Sequence, residues 1–208
     1  MIKMIHEEVK IAQERDPAAR SFWEVFFLYP SVKAVISHRI AHWLYKKKRY
    51  FLARWVSQNS RRATGIEIHP AAKIGKGVFF DHGMGVVVGE TAEIGDNCTI
   101  YQNVTLGGTG KDVGKRHPTI GSNVMIGAGA KVLGPFTVGD NSKIAANAVV
   151  LTEIPENSTC VGVPARVVTI NNVRIDRTCA DLDQINIPDP ISAELCKLNV
   201  RIEKLERR

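Results

Sequence analysis

The feature that most constrains this chain is a six-residue repeat between residues 68 and 150. Aliphatic or aromatic side chains recur at every sixth position, with a slip of two positions after Phe80 and a longer gap after Leu106. The full set is Ile68, Ile74, Phe80, Val88, Ile94, Ile100, Leu106, Ile120, Ile126, Val132, Val138, Ile144 and Val150. A period of six fits neither a helix, at about 3.6 residues per turn, nor an alternating strand.

The repeat instead fits a coil of three short strands joined by tight corners. Each unit sends one apolar side chain towards the axis, and the Gly, Asn and Asp residues between units suit corners with positive φ. Stacked coils bury a column of similar side chains and satisfy each other's backbone groups. The period therefore predicts a parallel β-solenoid.

The segments on either side of the repeat have different patterns. In residues 1–65 we expect three helices: a short one ending near Asp16, a second capped by Ser31, and a third over residues 51–61 that ends before Gly65. The predicted fold class is α+β, and the division is a helical part (1–65), a β-helix domain (66–168) with a loop at 107–118, and a tail (169–208). In that tail Leu195, Leu198, Ile202 and Leu205 alternate spacings of three and four, which predicts a helix over 190–207.

Composition narrows the classes of partner. The 208 residues carry a net charge of +7 and four scattered cysteines, with no C-x-x-C pair. Such cysteine usage is typical of reduced thiols, and the N-terminus has no apolar segment after a basic one, so we expect a cytoplasmic protein. No apolar run approaches the roughly 20 residues of a membrane span, and no nucleic-acid motif accompanies the basic charge, so neither a membrane nor a nucleic acid is an expected partner.

Four segments carry a more specific signal than the repeat. They are Arg15-Asp16-Pro17-Ala18-Ala19, Gly65-Ile66-Glu67-Ile68-His69-Pro70, the D-H-x-x-G-x-V-V-G-E run from Asp81 to Glu90 followed by Thr91, and Gly107-Gly108-Thr109-Gly110-Lys111 with Arg116-His117-Pro118. In this order, over residues 14–168, they resemble the serine acetyltransferase family of hexapeptide-repeat acyltransferases.

The resemblance implies a fold, a reaction and an assembly. The solenoid would be a left-handed β-helix, and the activity would be acetyl transfer from acetyl-CoA to the hydroxyl of L-serine. The products would be O-acetyl-L-serine and CoA, in the first step of cysteine biosynthesis. Feedback inhibition by L-cysteine and a homotrimer or dimer of trimers are further expectations. Members of the family often bind cysteine synthase through a tail ending in isoleucine. This chain ends Glu206-Arg207-Arg208, which argues against binding by that mode.

The expected chemistry requires a base. A serine hydroxyl attacks a thioester poorly unless its proton is removed in the transition state, and a histidine near neutral pKa suits that task. The resemblance assigns the base to His82, at the slip in the repeat. It assigns the acid that supports the imidazole to Glu67, where the family commonly has aspartate.

The amino acid substrate requires contacts for its two charges. The resemblance assigns Arg116 to the serine carboxylate, for which a guanidinium offers a bidentate fork, and His117 to the substrate or the tetrahedral oxyanion. Asp81 and Asp16 match the acids that receive the ammonium group. Positions that match the family's contacts to CoA are Gly108, Ala128, Lys143 and Ala146, and no metal is expected.

Three alternatives stay open at this point. A hexapeptide acetyltransferase acting on a sugar or another hydroxyl would share the fold, base and coenzyme. A zinc hydratase of the γ-carbonic anhydrase type would use the same solenoid, but the paired His-x-x-x-x-His spacing of that family is missing although His69, His82 and His117 are present. A non-catalytic trimeric scaffold or regulatory subunit is the third.

Overall fold

The computed structural model describes residues 2–110, 113–171, 173–174, 198 and 202. Leu198 and Ile202 have helical backbone, and the remainder of the helix predicted over 190–207 lies outside the described residues. The helices are α1 (Ile2–Arg15), α2 (Phe22–Leu28), α3 (Pro30–Lys46) and α4 (Tyr50–Thr64). No helix in this described part of the chain is long and apolar enough to cross a membrane.

Sixteen strands follow the helices in the described residues. They are β1 (Glu67–Ile68), β2 (Lys73–Ile74), β3 (Phe79–Asp81), β4 (Val87–Val88), β5 (Glu93–Ile94), β6 (Thr99–Tyr101), β7 (Thr105–Gly107), β8 (Thr119–Ile120), β9 (Met125–Ile126), β10 (Lys131–Leu133), β11 (Thr137–Val138), β12 (Lys143–Ile144), β13 (Val149–Val150), β14 (Ser158–Val161), β15 (Arg166–Ile170) and β16 (Val173–Arg174).

The strands form the three faces of a parallel solenoid of about five turns. The first face has the order β1-β4-β7-β10-β13, the second β11-β8-β5-β2, and the third β16-β15-β14-β12-β9-β6-β3. Neighbouring coils pair in parallel, while β15 pairs antiparallel with β14 and β16 pairs antiparallel with β15. The His82 corner joins the third face to the first, and the Arg116 corner joins the first face to the second.

The core confirms the repeat predicted from the sequence. All thirteen repeat positions are buried, and none exposes more than 8 % of its surface. They form one continuous cluster along the solenoid axis. The residues on either side of these positions are partly or fully exposed, except Phe79, which is the alternation expected of a strand with one buried face.

The slip in the repeat is a two-residue insertion at the His82 corner. Asp81 pairs with Tyr101 and Val87 with Thr105, so five residues separate the pair in the first coil and three in the next. The extra residues loop out of the coil with φ values of 56° at His82 and 61° at Gly83. Left-handed backbone is uncommon for a residue with a side chain, so His82 is held there by its surroundings.

The helices pack against the first coils of the solenoid. Phe79 of β3 inserts among Val9, Ala12, Val25 and Val32 from three helices. Polar contacts add to this apolar one. The Oγ of Ser57 donates to the Ile68 carbonyl at 2.7 Å, and the guanidinium of Arg15 donates to the Cys98 carbonyl and to the Thr99 hydroxyl, both at 2.9 Å.

The helix predictions were right in part. The end of α4 at Gly65, with φ 72°, is as expected, but α2 was not predicted and the cap at Ser31 is wrong. The helix starts at Pro30 after an extended Tyr29, because proline is favoured in a first turn. The Oγ of Ser31 instead accepts a hydrogen bond from the Phe80 amide at 2.9 Å, which ties α3 to β3.

Candidate active site

His82 lies at the tip of the two-residue insertion, with its side chain turned outward. That side chain is 81 % exposed, and its Nε2 lies 3.7 Å from Oδ1 of Asp81. Asp81 is the last residue of β3, so the strand fixes its direction while the insertion fixes that of the histidine. An exposed imidazole beside a carboxylate is free to exchange protons with a ligand.

Asp16 and Tyr29 lie at the His82 corner as well. The Tyr29 hydroxyl donates to Oδ2 of Asp16 at 2.6 Å, and the Ala18 amide donates to Oδ1 at 2.8 Å. Both hydrogen bonds lower the pKa of Asp16, and the one from Tyr29 has the larger effect. A protonated His82 lowers this pKa further. Burial and then the bond to Asp16 raise the pKa of Tyr29 to about 12, with a further contribution from Asp81. The carboxylate therefore stays ionised and the phenol stays a donor.

Glu67 has partners other than His82. Its Oε2 lies 3.2 Å from Nε of Arg61 and its Oε1 lies 3.7 Å from a guanidinium nitrogen of Arg54, both on α4. Among the described residues no hydrogen bond joins Glu67 to His82. The two residues still share the His82 corner, because Glu67 begins the first face one coil before Val87.

Arg116 and His117 lie at the other corner, where the long loop returns to the coil. The Arg116 guanidinium donates to Oε2 of Glu90, and the amides of Arg116 and His117 donate to the Thr91 hydroxyl at 3.0 and 3.1 Å. The segment Glu90-Thr91 thus holds both the side chain and the backbone of the Arg-His pair.

The protonation of these groups follows from their contacts. The Thr91 amide donates to Nδ1 of His117 at 3.2 Å, so neutral His117 carries its proton on Nε2. Burial lowers the pKa of His117 and the charge of Arg116 lowers it further, which favours that neutral form. The hydrogen bond from Arg116 lowers the pKa of Glu90. The corner therefore offers a cation and a neutral N–H donor.

Close packing fixes the ring of His117. A Cβ at Gly89 would collide with its imidazole, so only glycine leaves room for the ring at this point. Gly108 similarly faces the Arg116 carbonyl and the start of its side chain. Beside these residues an open cleft of about 410 Å³ is lined by Tyr45, Ala71, Lys73, Glu90, Thr91, Ala92, Glu93, Gly114 and Lys115.

The residues predicted to bind CoA are spread over three places. Ala128 and Ala146 stack on successive coils at the His82 corner, where the Asn147 amide donates to the Ala128 carbonyl at 2.8 Å. Gly108 lies at the Arg116 corner. Lys143 begins β12 and borders a second cleft with Asn141, Asn157 and Asn171, near the corner between the second and third faces.

The structure therefore divides the predicted site between two corners. Asp16, Asp81 and His82 lie together at one corner, and Arg116 with His117 lies at the other. Within one chain the first face of the solenoid separates the two groups. Tyr29, Glu90 and Thr91 contact these residues but were given no role from the sequence. Glu90 and Thr91 belong to the motif that begins at Asp81, whereas nothing in the sequence signals Tyr29.

No metal centre is found in the part of the chain that the structure describes. None of its groups of three or more His, Cys, Asp or Glu residues is arranged to hold an ion. His69 turns its Nδ1 to the Ala71 amide at 3.1 Å, and His117 turns its own to Thr91.

Comparison with known proteins places the chain in a family. The model for the bacterial transferase hexapeptide (six repeats) matches residues 117–152. The serine acetyltransferase of Bacillus pumilus (strain SAFR-032) is 55 % identical over 204 residues, which are 98 % of this chain and 93 % of that protein.

Two solved structures of serine acetyltransferases align with most of this chain. A serine acetyltransferase from Brucella abortus strain S19 in complex with coenzyme A aligns with a TM-score of 0.78 and 46 % identity, over 80 % of this chain and 67 % of that one. The soybean serine acetyltransferase complexed with serine aligns with a TM-score of 0.77 and 46 % identity, over 80 % and 68 % of the two chains.

Proposed function

The chain belongs to the serine acetyltransferase family, and we propose that it transfers the acetyl group of acetyl-CoA to the hydroxyl of L-serine with His82 as the general base. The observation that carries the mechanism is the placement of His82. Its imidazole is exposed at the tip of an insertion, beside Asp81 and close to Asp16. A base in this position can reach a bound hydroxyl while two carboxylates hold the substrate.

In the proposed step the serine Oγ attacks the thioester carbonyl as His82 removes its proton. The tetrahedral intermediate then collapses, the C–S bond breaks, and the protonated His82 returns the proton to the leaving thiolate. Products are O-acetyl-L-serine and CoA. Glu67 is the proposed support for the imidazolium, acting by charge from the neighbouring coil while α4 anchors its own carboxylate.

The two charges of serine define the other contacts. Arg116 would take the carboxylate, with Glu90 holding the guanidinium in place, and His117 would donate its Nε2 proton to the carboxylate or to the oxyanion. Asp16 and Asp81 would take the ammonium group. L-Cysteine carries the same two charges, so we expect it to compete with serine for these contacts.

A complete site requires two copies of the chain. The base and the ammonium contacts lie at one corner of the solenoid, whereas the carboxylate contacts lie at another. In a cyclic trimer the His82 corner of one subunit would face the Arg116 corner of the next, which is the closed arrangement common among homo-oligomers. CoA would then lie between the two solenoids along Ala128 and Ala146, with Gly108 supplied by the second subunit and Lys143 near a phosphate.

A cytoplasmic location is the remaining expectation. Cys98 and Cys160 are free and buried, which suits a reducing compartment. The same compartment would supply both substrates.

The proposal is tested by release of free thiol from acetyl-CoA with L-serine as the acceptor. We expect serine-dependent release, and we expect His82→Ala to lower turnover by roughly two to four orders of magnitude, as for loss of a general base. His6→Ala is the matched control, because His6 lies on α1 and contacts Phe22 rather than the site.

Each outcome of this assay decides one part of the proposal. Normal turnover in His82→Ala would remove the base from this residue. Release with a panel of sugars but not with serine would retain the fold and reject the substrate. No release with any acceptor would favour a scaffold.

A further inference from the structure

Tyr29 is the one tyrosine whose hydroxyl meets a carboxylate at the His82 corner of the described structure. It lies between α2 and α3, in extended backbone, where Pro30 begins the next helix. Its hydroxyl is 2.6 Å from Oδ2 of Asp16, a distance typical of a strong bond to an ionised acceptor. Neither helix propensity nor the turn requires a tyrosine here.

Two hydrogen bonds hold the Asp16 carboxylate, and the Tyr29 hydroxyl makes the second of them. Oδ1 is held by the Ala18 amide at 2.8 Å, a local bond that every residue following Asp-Pro can offer. With this bond alone, one oxygen is fixed but the carboxylate can still pivot about the hydrogen bond to Ala18. Tyr29 holds the second oxygen, and each oxygen keeps a further lone pair for another donor.

The Asp16 carboxylate, as Tyr29 holds it, lies close to the other charged groups of the His82 corner. Asp81 is near enough to Tyr29 to raise the pKa of the phenol, and His82 is near enough to Asp16 to lower the pKa of its carboxylate. The Asp16 carboxylate therefore lies in the same neighbourhood as Asp81 and the proposed base. An ammonium group with three N–H donors can bridge two such carboxylates.

We infer that Tyr29 is a positioning residue for substrate: it aims the Asp16 carboxylate at the ammonium group of the acceptor and so selects an amino acid over a hydroxy acid. The inference rests on the proposed function, because it assumes that serine is the acceptor and that Asp16 meets its ammonium group. It adds a residue and a source of specificity to that function. Tyr29 itself touches neither the reacting hydroxyl nor the thioester.

The test is a steady-state comparison of Tyr29→Phe with the wild-type protein. Loss of one hydrogen bond to a charged group should raise KM for L-serine about tenfold. The kcat and the KM for acetyl-CoA should stay within about twofold, because the base and the thioester contacts are untouched. Tyr50→Phe is the matched control, since Tyr50 lies on α4 and its ring makes an edge-to-face contact with Tyr45, away from the His82 corner.

Two further readouts separate positioning from a general structural role. The inhibition constant of 3-hydroxypropanoate, which has the hydroxyl and the carboxylate of serine but no amino group, should not change in Tyr29→Phe. In an Asp16→Ala background, Tyr29→Phe should change KM for serine by less than about twofold, because the two residues act through one contact.

Several results would overturn the inference. An unchanged KM for serine in Tyr29→Phe would do so, as would equal weakening of serine and 3-hydroxypropanoate, or effects that simply multiply in the double variant. Serine-dependent thiol release is measured first on the wild-type protein. If it is absent, the proposed function fails and this role fails with it; if it is present, the variants test Tyr29 alone.

Discussion

Histidines occupy two opposite environments in this molecule. His82 stands almost fully exposed at a corner, whereas His38 of α3 is only 3 % exposed and packs beside His42. In the described structure Nδ1 of His38 is buried without a hydrogen-bond partner. Burial, then the charges of His42 and Arg39, lower the pKa of His38 to about 3. The first histidine is available for proton transfer, and the second requires its neutral form to fold.

The buried histidine predicts a loss of stability in mild acid. Its pKa in the unfolded chain is about 6.5, so between that value and about 3 the unfolded state binds a proton that the folded state does not. Stability from this group is therefore complete above pH 6.5 and falls as pH decreases. At pH 5 the loss is about 2 kcal/mol.

The measurement compares the melting temperature at pH 7 and pH 5 for the wild-type protein and His38→Gln. Glutamine does not titrate, so we expect the variant to lose less stability between the two pH values, whatever its stability at pH 7. Equal decreases in both proteins would show that His38 is not the group responsible.

At the scale of elements, the corner between the second and third faces forms an amide ladder. Asn123, Asn141 and Asn157 lie on successive coils, with φ values of 58°, 57° and 55°. Nδ2 of Asn123 donates to Oδ1 of Asn141, and Nδ2 of Asn141 donates to Oδ1 of Asn157, each at 3.0 Å. Asparagine tolerates left-handed backbone better than most residues, and here its side chain also joins the coils.

Two substitutions at Asn141 separate these effects. Asn141→Ala should lower the free energy of unfolding by about 2 kcal/mol, because alanine is strained in left-handed backbone and makes neither amide bond. Asn141→Gly loses the bonds without the strain, so we expect a smaller decrease, of about 1 kcal/mol. Urea unfolding of both variants gives the values, and equal decreases would remove backbone strain from the explanation.

The elements differ in how far the sequence predicts them. Each coil is a local pattern, so the repeat predicted the buried column and the insertion after Asp81. Helix α2 was missed because its seven residues make only two turns and all of them except Glu24 are apolar, so no polar face reveals a helical period. Its start at Ser21, whose Oγ accepts from the Glu24 amide, is visible only once a helix is suspected.

Contacts between elements could not be predicted from the sequence. The partners of Glu67 are arginines six and thirteen positions earlier, brought back to it by α4. The bond from Tyr29 to Asp16 depends on how α1 and α2 meet, which no repeat or motif records. The residue types of the candidate site were thus predictable from motifs, but their second contacts were not.

At the scale of the whole molecule, the division of the site between two corners has a direct test. His82→Ala and Arg116→Ala should each be nearly inactive alone. If a site forms between neighbouring subunits, mixed trimers will contain some sites with both residues intact. Random mixing in equal amounts predicts up to about a quarter of wild-type activity from two inactive proteins.

The mixture is prepared by denaturing and refolding the two variants together, and a mixture of separately refolded variants is the control. A trimer should be seen by light scattering of the wild-type protein. If co-refolding restores nothing while mixed trimers form, each site is built within one chain.

If CoA binds as proposed, the stacking of Ala128 and Ala146 above the histidine would set the length of ligand that the groove accepts. Successive coils rise by about 4.8 Å, so the number of coils beyond the insertion fixes how far the groove extends from the imidazole. Three such steps, from the first coil to that of Ala146, span about 14 Å. A long thioester bound along this edge, as proposed above, would be selected by its length, because only a chain of matching length brings its acyl carbon level with His82.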